Sequence, residues 1–94
     1  MSETVTDYEV KTDMGIGMGW SHQVILFNDD VNTFDYVIKA LMSVFGHSSA
    51  LAERIAMEAH EYGRAVADTE EEPAAVKHAA ALRELGLRAS AESI

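Results

Sequence analysis

Two apolar patterns with helical spacing, each followed by a glycine, constrain the fold of this 94-residue chain more than any other feature. Apolar side chains recur three or four positions apart within residues 34–45 and again within residues 51–62. Such spacing places them along one face of a helix. Gly46 and Gly63 follow, and glycine is the residue that most often ends a helix. With a stop at Gly46 and a cap at Ser48 or Ser49, about three residues would separate the helices, so the sequence predicts that they are joined as a hairpin.

Polar residues at the start of each pattern predict where the helices begin. Asn32, with Asp35 three positions later, resembles a capping box, in which the first side chain accepts a hydrogen bond from a backbone N–H of the first turn. Ser48 or Ser49 can cap the second helix in the same way. The sequence therefore predicts that the first helix begins at Thr33, directly after Asn32.

Short segments on either side of the hairpin predict a sheet. Residues 22–27 are apolar and β-branched in the middle, as in a largely buried strand. Residues 64–68 indicate a short second strand, and residues 87–91 alternate apolar and polar side chains as an edge strand does. Between them, a third helix has Pro73 in its first turn and ends at Gly86. The predicted fold is a small β-α-α-β-α-β domain of the α/β (α+β) class, with a three-stranded antiparallel sheet and helices packed on one face.

Charge and composition limit the classes of partner and cofactor. A formal net charge of -9 opposes binding to phosphate backbones and anionic lipids, so we expect no nucleic-acid or membrane partner and favour a cationic one. The chain has no cysteine, and its four histidines lack metal-binding spacing, so the sequence predicts no disulfide, metal or cofactor. The acidic amino terminus lacks the apolar region of a signal sequence, which predicts a cytoplasmic protein. Without a heptad pattern, a monomer is expected.

The amino-terminal segment differs from the rest of the chain. Residues 1–19 show no sustained periodicity, and Gly15, Gly17 and Gly19 favour a flexible tail. Trp20 follows as an aromatic anchor. The predicted organisation is a flexible tail over residues 1–19 and one core domain over residues 20–94.

Three short pieces of the sequence combine into a recognisable pattern. The first strand runs into Asn28-Asp29-Asp30, the pair Val37-Ile38 follows on the first helix, and His60 comes shortly before Gly63-Arg64-Ala65. In this order and spacing, over residues 20–92, the chain resembles the ClpS adaptor family. The resemblance implies a β-α-α-β-α-β domain that acts as an N-end-rule adaptor. Such an adaptor binds proteins that begin with Leu, Phe, Tyr or Trp and delivers them to a Clp ATP-dependent protease.

The resemblance also implies which side chains bind the substrate's amino terminus. Asn28, Asp29 and His60 would bind the α-amino group, while Asp30 and Asn32 would shape the rim of the site. An α-amino group has a pKa of about 8, so it is mostly protonated at neutral pH and needs hydrogen-bond acceptors and nearby negative charge. The neutral ring of His60 would accept from the ammonium, so acid is expected to weaken binding. Without the resemblance, these polar residues would be interpreted as a solvated turn and an exposed helix end.

A pocket for the first side chain is implied between the two helices of the hairpin. Many relatives carry methionine at the positions of Phe34 and Ala56, and valine or isoleucine at that of Ala59. We expect binding to survive these changes, while the resemblance leaves the preference among Leu, Phe, Tyr and Trp open. The lining would consist of Phe34, Val37, Ala56, Met57 and Ala59, which without the resemblance would be assigned to the core.

Docking is the second function that the resemblance implies, and hand-over by the tail is the third. The partner would be the amino-terminal domain of a Clp unfoldase, ClpA or ClpC, and the surface would lie near the start of the third helix. Glu72 and Lys77 align with the family's docking residues if one residue is missing from the preceding turn. Residues 1–19 would correspond to the extension that the unfoldase engages during hand-over.

Three other functions compete with this interpretation. An enzyme would have to use Asp29, Asp30 and His60, but the chain has no cysteine, nucleophile elbow or phosphate loop, so we predict no catalytic residues. A regulator of the Clp unfoldase without amine binding would keep the fold and the partner. A general peptide-interaction domain would pair a peptide strand with the sheet edge at residues 89–91.

Overall fold

The computed structural model describes residues 20–94, and the tail predicted over residues 1–19 lies outside the described residues. Three strands and three helices follow one another in the predicted order. They are β1 (His22–Phe27), α1 (Phe34–Phe45), α2 (Ser49–Tyr62), β2 (Arg64–Glu70), α3 (Glu72–Glu84) and β3 (Ala89–Ser93).

The predicted antiparallel sheet is confirmed, with β1 as its central strand. β2 and β3 both pair antiparallel with β1, so the strand order is β2-β1-β3. Leu26 of β1 lies opposite Ala65 of β2 and Ala89 of β3. The central position of β1 explains its apolar middle, because both of its edges are hydrogen-bonded to neighbours. The α+β class predicted from the sequence is therefore confirmed.

The core lies between the sheet and the three helices. Val24 and Leu26 point from β1 into this core, where small alanines of β2, α2 and α3 allow close packing. Leu41 of α1 and Leu82 of α3 are fully buried against them. Among residues 20–94, no helix has both the length and the apolar character needed to cross a membrane.

The start of α1 differs from the prediction. Thr33, not Asn32, caps the helix: its backbone is extended and its Oγ1 accepts from the backbone N–H of Tyr36 at 3.1 Å. The prediction that Asn32 and Asp35 form a capping box is therefore wrong. Asn32 instead donates its side-chain amide to Asp29 and to the carbonyl of Gly86. A threonine one residue later supplies the side-chain oxygen that accepts this bond and leaves Asn32 available for these longer-range contacts.

The ends of the hairpin helices follow the predicted chemistry. Gly46 and Gly63 adopt left-handed backbone conformations, with φ of 75° and 89°, and end α1 and α2. Of the two serines, Ser48 is the cap of α2. Helix α3 has Pro73 as its second residue, as predicted.

Three strand boundaries differ from the prediction: the end of β2 and both ends of β3, which covers Ala89–Ser93 and not residues 87–91. β2 continues to Glu70, two residues beyond its predicted end, because Thr69 and Glu70 also pair with β1. β3 begins at Ala89, two residues later than predicted, because Leu87 still belongs to the turn that ends α3 and donates its N–H to Leu82. These boundaries depend on pairing between distant segments, which a local pattern does not determine.

An irregular pairing between β1 and β2 brings carboxylates to α3. The register shifts between Val24 and Ile25, so Asp68 and Glu70 both lie on the helix-covered face. Glu70 then contacts Nδ1 of His78 at 2.8 Å, which attaches α3 to β2. Burial raises the pKa of the Glu70 carboxyl, and a hydrogen bond with the Asp68 side chain adds to this, while His78 opposes it.

Candidate functional site

An open cavity of about 360 Å³ lies where the end of β1 meets the α1–α2 hairpin. One side of the cavity is apolar, and the other carries carboxylate, amide and imidazole groups. This combination suits a ligand with an apolar side chain next to a polar head. The lining residues are Leu26, Phe27, Asn28, Asp29, Asp30, Asn32, Phe34, Val37, Ala56, Ala59 and His60.

The polar side is built on the turn after β1, which Asp29 organises. Its Oδ1 accepts from the backbone N–H groups of Val31 at 2.9 Å and Asn32 at 2.8 Å, and its Oδ2 accepts from Asn32 Nδ2 at 3.2 Å. Aspartate commonly binds backbone N–H groups two and three residues later, which closes a turn. The backbone N–H of Asn28 donates to the carbonyl of Gly63 at 3.0 Å, which places the turn beside the end of α2.

The same contacts set the ionisation of Asp29. Burial raises the pKa of its carboxyl, but the hydrogen bonds from Asn32 and Val31, together with the positive charge of Arg88, outweigh this effect. The pKa of Asp29 therefore lies below its ordinary value of 3.8. Asp29 is a carboxylate at neutral pH and adds negative charge to the cavity.

This lowered pKa predicts a dependence of stability on pH. A carboxyl whose pKa is lower in the folded state stabilises the protein above its unfolded-state pKa, and this contribution is lost as the pH falls through the folded-state value. We expect Asp29→Asn to be less stable than the wild type at neutral pH, and the difference to shrink below about pH 4. Thermal midpoints measured by circular dichroism from about pH 7 to pH 2 test this. Asp30→Asn is the control, and an equal, pH-independent difference for both variants would contradict it.

His60 reaches the cavity from the last turn of α2. Ala59 and His60 lie three and four positions after Ala56, so they lie near it on one face of the helix. The two alanines are buried and form part of the apolar wall, while His60 is exposed at the polar side. Among the described residues, none hydrogen-bonds to the His60 ring, so a ring nitrogen is available to a ligand.

Met57 is the one predicted pocket residue that the structure does not bring to the cavity. It follows Ala56 by one position, which turns it about 100° around α2. Its side chain is 41% exposed and lies in a separate depression with Arg54 and Tyr62. Around the helix, Ala59 and His60 lie within about 60° of Ala56, whereas Met57 lies about 100° away, so Met57 faces the separate depression and not the cavity.

The sequence model of the family described as "ATP-dependent Clp protease adaptor protein ClpS" matches residues 20–90, and so includes every residue that lines the cavity. The chain belongs to the ClpS family. The ClpS relationship extends to the observed fold. The structure of Agrobacterium tumefaciens ClpS2 bound to L-phenylalaninamide superposes with a TM-score of 0.74 at 30% sequence identity, and covers 82% of this chain and 100% of that one.

Curated ClpS proteins match a shorter segment. The ATP-dependent Clp protease adapter protein ClpS of Acetivibrio thermocellus is 42% identical over 45 residues, which are 48% of this chain and 46% of that protein. The protein of the same name from Syntrophus aciditrophicus is 40% identical over 45 residues, which are 48% of this chain and 42% of that protein. The chain thus spans about half the length of the curated ClpS relatives that it matches.

The two predicted docking residues of this ClpS family member lie apart from the cavity. Glu72 is the first residue of α3, and Lys77 follows on the same helix; both are exposed and neither lines the cavity. A carboxylate oxygen of Glu72 lies 3.8 Å from Nε2 of His22, at the start of β1. Their docking role stays a prediction.

Three residues at this ClpS cavity were not predicted from the sequence. Leu26 and Phe27 line it because they directly precede the Asn28 turn, and their position at the strand end was a usable signal. Arg88 was not foreseeable, because its guanidinium reaches the Asn28 carbonyl, at 3.1 Å, from a segment 60 residues later.

Proposed function

We propose that this ClpS family member binds the free α-amino group and the bulky apolar first side chain of proteins marked for degradation, and delivers them to a Clp unfoldase. The observation that carries the proposal is the juxtaposition of carboxylate, amide and imidazole acceptors with an apolar cavity. The similar ClpS2 structure is bound to L-phenylalaninamide, a molecule with a free amino group, an apolar ring and an amide in place of a carboxylate. That molecule has the chemistry of a peptide's first residue.

The polar groups suit an ammonium ion. An ammonium offers three N–H donors, and its charge makes hydrogen bonds to anionic acceptors stronger than neutral ones. Three of the roughly four acceptor sites of the Asp29 carboxylate are used inside the turn, so one is left for the ligand. The side-chain oxygen of Asn28 and a ring nitrogen of His60 would accept the other N–H groups. In this arrangement the amino group is held by three side chains from two elements.

The apolar side of the cavity would hold the first side chain. Burial of a Leu or Phe side chain contributes roughly 1.5 to 3 kcal/mol, or about one to two orders of magnitude in affinity over Ala. Phe34 and Val37 would cover this side chain from α1, and Ala56 and Ala59 from α2. Because the two alanines occupy little space, they leave room on the α2 side for an aromatic first residue.

A peptide series tests the proposal. Fluorescent peptides that differ only in the first residue, Leu, Phe, Tyr, Trp or Ala, are titrated with the wild type and with His60→Ala. We expect the four bulky residues to bind more tightly than Ala, and His60→Ala to weaken them because one acceptor of the ammonium is lost. Equal affinity for Ala and for the bulky residues would contradict the apolar pocket.

Docking is the second half of the proposal. We place the binding surface for the amino-terminal domain of a ClpA- or ClpC-type unfoldase at the start of α3, around Glu72 and Lys77. Residues 1–19 would act in hand-over, as expected from the sequence. The cytoplasmic location and the monomeric state expected from the sequence belong to the same proposal.

Charge reversal of the docking residues tests binding to the unfoldase independently of peptide binding. We expect the double variant Glu72→Lys with Lys77→Glu to bind the unfoldase domain at least about tenfold more weakly, because complementary charges would become repulsive. Peptide affinity should not change. Lys39→Glu, an exposed reversal on α1, is the control. Biolayer interferometry with the immobilised unfoldase domain measures the effect, and wild-type affinity of the double variant would place docking elsewhere.

A further inference from the structure

The turn that carries Asn28 and Asp29 is attached to the loop between α3 and β3, residues 85–88. The Tyr36 hydroxyl, in the first turn of α1, donates to the carbonyl of Leu85 at 2.6 Å. The side chain of Asn32 donates to the carbonyl of Gly86 at 2.9 Å. Two side chains from the start of α1 therefore bind two successive carbonyls of a loop about 50 residues further along the chain.

The shape of the loop explains why these carbonyls are available. The N–H of Gly86 donates to Arg83 and that of Leu87 to Leu82, which is the hydrogen-bond pattern of a Schellman turn. Gly86 adopts a φ of 89° in this turn. The carbonyls of Leu85 and Gly86 lie beyond the helix end, where helical partners are absent. Tyr36 and Asn32 satisfy them.

Arg88, at the end of the same loop, also contacts the turn that carries Asn28 and Asp29, here called the amine-binding turn. Arg88 donates its guanidinium to the carbonyl of Asn28 at 3.1 Å, while its own carbonyl accepts from Phe27 at 2.9 Å. Asn32 links the turn directly to the loop, because its side-chain amide donates both to Asp29 in the turn and to the carbonyl of Gly86 in the loop. The turn that carries two of the proposed ammonium acceptors, Asn28 and Asp29, is thus held by a loop whose residues do not line the cavity.

We propose that Tyr36 and the α3–β3 loop position the amine-binding turn, and so set the affinity for the ligand's amino group without touching the ligand. This inference rests on the proposed function, which it deepens. Tyr36 does not line the cavity, and its hydroxyl points to the loop. Its loss would leave the apolar pocket intact and loosen only the polar side. Affinity would therefore fall by the same factor for every first residue.

Two pairs of matched variants test this positioning role. Tyr36→Phe removes only the hydroxyl, and Tyr62→Phe makes the same change at a tyrosine that is 75% exposed. Gly86→Ala strains the left-handed turn of the loop, and Gly46→Ala strains a comparable turn at the end of α1, far from the site. We expect Tyr36→Phe and Gly86→Ala to weaken Leu, Phe and Trp peptides equally, by roughly three- to tenfold. The two controls should stay within about twofold of the wild type.

Hydrogen exchange provides a readout that needs no ligand. The backbone N–H groups of Val31 and Asn32 donate to Asp29, so their exchange reports on the turn itself. We expect them to exchange several-fold faster in Tyr36→Phe and Gly86→Ala but not in Gly46→Ala. If the wild type binds no free amino terminus while exchange changes in this way, the proposed function fails and the positioning of the turn stands. Unchanged exchange in both loop variants, or an equal change in Gly46→Ala, would overturn the inference.

Discussion

Asp29→Asn is expected to weaken binding of a peptide with a free Leu or Phe terminus by roughly 10- to 100-fold, the range for loss of a charge-assisted hydrogen bond. The substitution removes the negative charge that faces the ammonium. It also places an amide NH2 group opposite the side-chain NH2 of Asn32, which now donates to Asp29 Oδ2. Two donors would then face each other, so the turn would open as well.

A matched control distinguishes the loss of the carboxylate at Asp29 from the change in the net charge of the protein. Asp35→Asn makes the same change in net charge at an exposed position in the first turn of α1, outside the cavity. Its peptide affinity should stay within about twofold of the wild type. Isothermal titration calorimetry at neutral pH and low salt measures both variants. Similar losses in the two variants would mean that long-range charge, not the geometry at Asp29, attracts the ligand.

The second large effect is expected from Ala59→Leu, which fills the cavity. The alanine is 3% exposed and lies on the wall contributed by α2, so the added carbons must enter the space proposed for the first side chain. We expect Phe and Trp peptides to bind roughly 10- to 100-fold more weakly, because the burial of their rings is lost. The fold should tolerate the substitution, since the cavity offers room that a packed core would not.

Ala50→Leu is the matched control for this variant. It makes the same substitution on the same helix at an exposed position outside the cavity. Fluorescence anisotropy with Phe and Trp peptides gives the affinities, and thermal midpoints show whether either variant is destabilised. If Ala59→Leu keeps wild-type affinity for both peptides and remains folded, the first side chain binds elsewhere.

Features determined by neighbouring residues were predictable from the sequence. Gly46, Gly63 and Ser48 end or begin helices through contacts within one turn, so the hairpin could be located without the structure. The strand that precedes Asn28 could be recognised by its apolar middle. Local chemistry thus predicted the order of the helices and strands.

Features that depend on pairing between distant segments were not predictable. The extension of β2 to Glu70 requires the shifted register opposite Val24, which no local pattern indicates. The role of Asn32 was misassigned because its second partner, Gly86, lies 54 residues later. Met57 was placed in the pocket by resemblance, although its position on α2 turns it away from Ala56. The sequence therefore predicts which residues form the site better than it predicts the contacts that those residues make.

The alternatives to an amine-binding adaptor differ in what they recognise. A general peptide-interaction domain would pair a peptide backbone with the edge of β3, and this does not require a free amino terminus. A regulator of the Clp unfoldase would bind neither form of the peptide. The amino group of the ligand is thus the feature that separates the three functions.

The most direct test of the central claim compares one peptide that begins with Phe, with a free amino terminus, with the same peptide after acetylation of that terminus. Acetylation removes the positive charge and two of the three N–H donors while it keeps the ring. Fluorescence anisotropy should show saturable binding of the free peptide, and affinity for the acetylated one at least roughly 100-fold lower. Equal affinity for the two peptides, or no binding of the free one, would contradict the account.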